Sequence, residues 1–314
     1  MKILIVGTGV IGVIYGWALH QAGVDVTHFV RPGKAVQFPG GLRLDLLDER
    51  KGYPPKAVHP YPIRCVDSIS SSDGYELIIV PTNGYQVESA IQDLAPVSGD
   101  ATFLIFSGNW NGLASYDAFL SRERYLLGYP DGGGTIREAV YWTNLGPDVH
   151  LGLLEGQSSE RLEQIKALFA CADIHAEIQE NILHWLWVHN AGVIGFAAGF
   201  AKHREVTAYL RDKSLLRQCI LSTKELYQLC GLRGVDLKKF PDTILAKFPV
   251  WLVAMLLRWN FKRNESMQRY TAHAASAGSL RETEIFYNSM VKTADELGFA
   301  VPYLRSLETY MRNS

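Results

Sequence analysis

The chain has 314 residues, 47% of them apolar, with 31 Lys and Arg against 32 Asp and Glu and a formal net charge of −1. That length fits two domains with sizeable cores, and balanced charge without a dense Lys/Arg stripe excludes a nucleic-acid partner held by counterion release. Cys65, Cys171, Cys219 and Cys230 are scattered with no C-x-x-C pair. They read as small buried hydrophobes in a reducing compartment and offer no metal site.

The first element is a short apolar run, residues 1–6, that reads as a strand. Because Met1 leads straight into it, no room is left for a targeting peptide, and a cytoplasmic location is expected. Gly7-Thr8-Gly9-Val10-Ile11-Gly12 follows, and residues 13–20 read as a helix. Strand, G-x-G-x-x-G turn and helix in that order predict dinucleotide binding. Gly7 permits the tight turn, Gly9 lets backbone approach a pyrophosphate, and Gly12 lets the helix pack against the strand. Thr8, Val10 and Ile11 complete the phosphate-binding turn, and the helix start offers it unpaired N–H groups.

The second strand, residues 24–30, ends at Arg31-Pro32-Gly33-Lys34, and no carboxylate occupies its end. Arg in that place suits a 2′-phosphate, so the cofactor is expected to be NADP(H). Residues 39–73 are Gly/Pro-rich and polar with a short β insertion near 42–46. Strands are expected at 76–81, 101–106 and 125–128, with a helix at 85–94. Alternating short strands and helices predict a Rossmann-type, doubly wound parallel sheet, with antiparallel additions at 139–143 and 149–154. The loops at Asn83, Asn109 and Gly132 to Gly134 then fall on the cofactor side, at the carboxyl ends of the strands. From about Asn181 strand alternation stops. Residues 183–200 are apolar on nearly all sides, and Leu215, Leu216, Cys219, Ile220, Leu226, Tyr227 and Cys230 recur at helical spacing. The expected domains are 1–179, dinucleotide-binding, and 180–314, all-helical. The apolar stretch 248–257 is too short to span a membrane and reads as a core or interface helix.

With those residues in place, the chain resembles the ketopantoate reductase (2-dehydropantoate 2-reductase) family. The resemblance is carried by residues 2–12, by Arg31, and by Leu280-Arg281-Glu282-Thr283-Glu284-Ile285 with Gly298-Phe299-Ala300-Val301-Pro302 further on. It implies an NADPH-binding Rossmann domain, a helical second domain and hydride transfer to the ketone of a 2-oxo acid, ketopantoate by default. It also implies cofactor contacts from Asn83, which stands where the family carries a Lys, and from Gln86. Asn109 of Asn109-Trp110-Asn111-Gly112 matches the family's Asn-Gly-x-Gly turn within one residue. Glu284 then holds cofactor ribose or substrate, or else is a helix-start carboxylate beside Arg281.

The family's proton donor is a Lys in a helix reading Trp-x-Lys. The corresponding Leu183-His184-Trp185-Leu186-Trp187-Val188-His189-Asn190 has no Lys in any register. His189 is the best replacement, since imidazole titrates near neutrality, and Asn190 would bond the substrate. Both also read as hydrogen-bonded core residues. Arg269, Arg281, His273 and Tyr270 are candidates for the substrate carboxylate. Trp185, Trp187, Trp251 and Trp259 are core residues, or line a pocket bulkier than ketopantoate needs. The expected partner is a small 2-oxo acid or related ketone, with no membrane and no metal, and with room for a homodimer through the helical half. A second reading of the same fold is a non-catalytic NADP(H)-binding sensor.

Overall fold

The computed structural model describes residues 1–155, 157–274 and 276–312. Contacts divide the chain into two units: 1–107 with 112–182, and 108–111 with 183–314.

Among the described residues of the first unit, ten strands form one sheet. They are β1 (Lys2–Val6), β2 (Asp25–Phe29), β3 (Leu42–Asp48), β4 (Lys56–Tyr61), β5 (Cys65–Val66), β6 (Leu77–Val80), β7 (Thr102–Phe106), β8 (Tyr125–Arg137), β9 (Val140–Gly152) and β10 (His175–Ile178). The order is β4-β3-β9-β8-β7-β6-β1-β2-β5, with β10 beside the far end of β9. From β5 to β8 the pairing is parallel, as in a doubly wound fold. β8 with β9 and β3 with β4 are antiparallel, so the sheet is mixed. The expected Gly132–Gly134 loop is instead strand: these residues pair with Leu145, Asn144 and Thr143 of β9. Likewise β9 is continuous across residues expected to form two separate edge strands. Gly132 fits because a Cβ there would meet Ile14 at 2.7 Å and the Asn144 carbonyl at 3.0 Å.

The helices of this unit are α1 (Val10–Gln21), α2 (Gly84–Leu94), the short turn α3 (Ala114–Asp117) and α4 (Ser159–Cys171). From Gly12 to Leu19 every residue of α1 is buried, which requires a helix apolar on all sides. The sheet supplies the surround. β4 and β2 stand near opposite ends of the strand order, yet Tyr61 Oη of β4 lies 3.0 Å from His28 Nε2 of β2. The sheet therefore curls around α1, and Trp17 of α1 lies 4.6 Å from the His59 ring of β4. α4, passed over in the sequence reading, buries Leu162, Ile165, Leu168 and Phe169, with Phe169 stacked 5.7 Å from Phe106.

Asp131 sits at the irregularity between Pro130 and Gly132. Burial, then the negative charges of Glu49, Asp148 and Glu177, push its carboxyl up to about 7. Between pH 4 and 7 the native state thus binds more protons than the unfolded chain, so this group's contribution to stability falls as pH rises through that window. Asp131→Asn is expected to flatten that fall, with an advantage over the unmutated protein that grows toward pH 8 in urea unfolding. An equal effect at pH 5 and pH 8 would count against the burial account.

Among its described residues the second unit is helical: α5 (Ile182–His203), α6 (Val206–Arg211), α7 (Lys213–Leu232), α8 (Val250–Arg263), α9 (Glu265–Thr271), α10 (Ala277–Glu296), α11 (Pro302–Arg305) and α12 (Glu308–Met311). α5 and α7 build its core with Ala191, Ile194, Leu216, Cys219, Leu226 and Cys230. Two expectations need correction. Cys171 is exposed and Cys65 half-buried; only Cys219 and Cys230 are buried. Trp251 and Trp259 are not core: they are 68% and 57% exposed on one stripe of α8 with Met255, four residues apart and so on one face. No helix among the described residues is long and apolar enough to cross a membrane.

Candidate active site

In the first unit the glycine turn joins β1 to α1. Gly7 has φ +84, a left-handed conformation that favours glycine, and its N–H bonds the Phe29 carbonyl at 2.7 Å. Gly12 lies inside α1, where a Cβ would meet Ile5 at 3.1 Å and the Pro81 ring at 3.3 Å. Close packing of helix on β1 and on the end of β6 follows from that missing side chain. Gly9 is different. It is the N-cap of α1, it is exposed, and a Cβ there would meet nothing within 4 Å. No side chain caps this helix end, and its first turn contains no acidic residue. The first N–H groups of a helix have no partner within it, so the start of α1 offers unpaired donors and a positive dipole end beside the open space at Gly9.

Arg31 lies just past β2, next to β1, exposed and without an ion pair among the described residues. The sequence reading missed Asp67, which β5 delivers beside this strand end. The strand end is therefore not free of carboxylate. Asp67 accepts the Gly33 N–H at 2.8 Å and so holds the Arg31–Lys34 turn. Asn83 is the N-cap of α2 without capping it by its side chain; its Nδ2 lies 3.4 Å from Tyr85 Oη. Gln86 is exposed in the first turn of α2. At the carboxyl ends of the adjacent parallel strands β6 and β7, the hydroxyls of Thr82 and Ser107 are buried without a hydrogen-bond partner. Buried hydroxyls are normally satisfied, so this edge has polar atoms to give to a ligand. Uncapped helix end, open space at Gly9 and orphaned hydroxyls all fit a dinucleotide.

The other expected site residues belong to the second unit. Asn109 and Asn190 are brought together: Asn190 Nδ2 donates to the Asn109 carbonyl at 3.1 Å, and both are 5% exposed. Gly108 lies under Asn190, since a Cβ there would be 2.8 Å from Oδ1 and 2.9 Å from Phe286 of α10. Asn190 thus satisfies a buried backbone group and fixes residues 108–111. His189 is half-buried and stacked on Trp185, with centroids 5.0 Å apart and planes within 10°. His184 leans on a different ring, Trp187, at 5.3 Å. The lysine in α5 is Lys202, in the last turn and bonded to Asp212 at 2.8 Å. Thirteen residues put it about 20 Å along the axis from His189.

Glu284 is half-buried in α10, which begins at Ala277 with Ser276 as N-cap. The helix-start reading of Glu284 is therefore wrong; it stands in the third turn, where the dipole of the helix end has faded. Arg269 is also not a free surface cation. It is fully buried, with Nη2 2.8 Å and Nε 3.1 Å from Glu265. The second missed residue is Arg233, just past α7. Its guanidinium lies 3.4 Å from the Trp187 ring and 4.3 Å from that of Trp110, and Nη2 donates to the Trp110 carbonyl at 2.9 Å. Burial pulls it down to about 10. Arg233 and Asn190 together clamp the 108–111 segment, and nothing local in Gly231-Leu232-Arg233-Gly234 signals that.

A model of the ketopantoate reductase (PanE/ApbA) family matches residues 3–140, the stretch that holds the glycine turn, Arg31, Asn83, Gln86 and Asn109. A 2-dehydropantoate 2-reductase of Pyrococcus horikoshii is 29% identical over 196 residues, covering 60% of this chain and 59% of that protein. Over residues 3–140 the chain is similar to the ketopantoate reductase family. A second 2-dehydropantoate 2-reductase, from Pyrococcus abyssi, is 26% identical over 60% of this chain and 59% of its own length. The match thus spans about three fifths of these curated relatives. Among solved structures, D-mandelate dehydrogenase with NADH and anilino(oxo)acetate has a TM-score of 0.75 at 17% identity, covering 99% and 97% of the two chains. A 2-dehydropantoate 2-reductase from Geobacter metallireducens has a TM-score of 0.74 at 16% identity, covering 99% of both chains. Both share the fold. In α5, outside the stretch that the family model matches, imidazoles and indoles recur over residues 184–189, and the lysine is Lys202.

Proposed function

We propose that this protein reduces the ketone of a 2-oxo acid, ketopantoate or a bulkier relative, with NADPH as hydride donor. The observation that carries the reading is the uncapped α1 end at Gly9, open to an anion, with the unpaired Arg31 just past the strand that neighbours β1. Gly9 to Gly12 would hold the pyrophosphate by backbone N–H groups, Arg31 the 2′-phosphate, and Asn83, Gln86, Asn109 and Glu284 the remaining polar groups. A nicotinamide held by these residues would supply a hydride to the carbonyl carbon. As the C=O π bond breaks, its electron pair goes to oxygen, and the His189 imidazolium gives that oxygen a proton and becomes neutral. Asn190 orients the carbonyl. The neighbours named for 2-oxo acid ligands and substrates support this class of reaction.

Arg31→Ala tests the cofactor. Removing a charge-assisted bond worth about 1.5–3 kcal/mol should weaken NADPH binding roughly ten- to over a hundredfold. NADH affinity should stay within a factor of two. Fluorescence titration of both nucleotides decides it, and equal affinity of the unmutated protein for NADH and NADPH would contradict the assignment. A non-catalytic NADP(H) sensor is the second reading, favoured by one observation: α5 has no lysine near His189.

A further inference from the structure

We propose that His28 and Tyr141 are positioning residues for the pyrophosphate: they hold the Gly7 and Thr8 carbonyls inward, so the turn shows an anion only N–H groups. This rests on the dinucleotide reading above. A loop that binds phosphate through backbone donors works only if its carbonyls, which repel the anion, are committed elsewhere. Here each is. The Gly7 carbonyl is 2.8 Å from His28 Nδ1, the Thr8 carbonyl accepts from Tyr141 Oη at 2.8 Å, and the Gly9 carbonyl accepts from the Val13 N–H at 2.9 Å. The last is ordinary helix; the first two are side-chain devices.

His28 is fully buried on β2. Since a carbonyl can only accept, Nδ1 carries the proton, and Nε2 then accepts from Tyr61 Oη at 3.0 Å. Tyr61 thus satisfies the second ring nitrogen in the tautomer that serves Gly7. Burial lowers the imidazole to about 4, which keeps it neutral near pH 7. The ring has room only because residue 16 is glycine: a Cβ there would lie 2.6 Å from Nε2 and 2.9 Å from Tyr61 Oη. Tyr141 reaches Thr8 from β9. The turn is therefore braced from two strands, and both bonds lie within the first unit.

The test compares NADPH with 2′-AMP, which lacks the pyrophosphate, by titration calorimetry on folded protein, with melting temperatures alongside. Tyr141→Phe and His28→Leu should each weaken NADPH roughly fivefold, the worth of one net hydrogen bond. Binding of 2′-AMP should stay within twofold. His28→Asn, which keeps a donor near the Nδ1 position, should recover most of the loss. If His28→Leu does not fold, Tyr141→Phe decides alone. NADPH affinity unchanged in Tyr141→Phe, or 2′-AMP weakened as much as NADPH, would overturn the inference while leaving dinucleotide binding intact. If the unmutated protein binds neither NADPH nor NADH, the dinucleotide reading falls, and this inference with it.

Discussion

Gly9→Thr should leave the protein folded and nearly abolish its binding of NADPH. Folding is spared because a Cβ at residue 9 meets no atom within 4 Å and the backbone there, φ −67 and ψ 167, suits a β-branched side chain. Thr and Gly also rank alike as N-caps. Binding is lost because the threonine hydroxyl caps the same N–H groups the pyrophosphate needs and its methyl fills the approach. Two charge-assisted hydrogen bonds at about 1.5–3 kcal/mol each amount to roughly 10²–10⁴ in affinity. Differential scanning fluorimetry with and without NADPH reads both at once. The expected record is an unchanged melting temperature for the empty protein and no upward shift on adding NADPH. A variant that melts lower yet keeps the NADPH shift would mean that Gly9 serves the fold and that the anion site lies elsewhere.

His189→Gln should reduce turnover by roughly 10²–10⁴, the usual contribution of a positioned acid. Glutamine keeps a hydrogen-bond donor of similar reach but cannot release a proton at neutral pH. NADPH affinity should hold, since the proposed phosphate-binding groups are those of the first unit. Single-turnover oxidation of bound NADPH separates this from slower product release. Retention of full turnover would remove His189 from the chemistry and leave its stack on Trp185 as its whole role. His184, which leans on Trp187, would be the next imidazole to replace.

The parts of the fold written in short-range pattern are legible from the chain. The β1–turn–α1 unit, the parallel strands to β7 and the change to helices near residue 182 follow from apolar periodicity and glycine position. What escapes is non-local. Gly132 to Gly134 look like a loop because glycine weakens strands, yet all three pair with β9, and glycine suits Gly132, which α1 and β9 approach closely, and Gly134, which β9 approaches closely. α4 has a helical repeat of Leu162, Ile165, Leu168 and Phe169, but it stands between two strands in a stretch of ordinary polarity. The exposed stripe of Trp251, Met255 and Trp259 cannot be told from a core stripe, since both have the same spacing.

The site divides in the same way. Residues 7–12 and Arg31 announce themselves by motif and strand end. Asp67, His28 and Arg233 act on partners 34, 21 and 123 residues away, and no local pattern records such pairings. Arg269 shows the opposite error: an arginine read as a free cation is buried and bound to Glu265 four residues earlier.

The most direct measurement is NADPH oxidation by the unmutated protein against a panel of 2-oxo acids that includes ketopantoate and larger, aromatic members, with the 2-hydroxy acid product quantified. The account predicts oxidation with at least one of them, one hydroxy acid formed per NADPH consumed. Tight NADPH binding with no oxidation by any 2-oxo acid would contradict it and leave the non-catalytic sensor as the function.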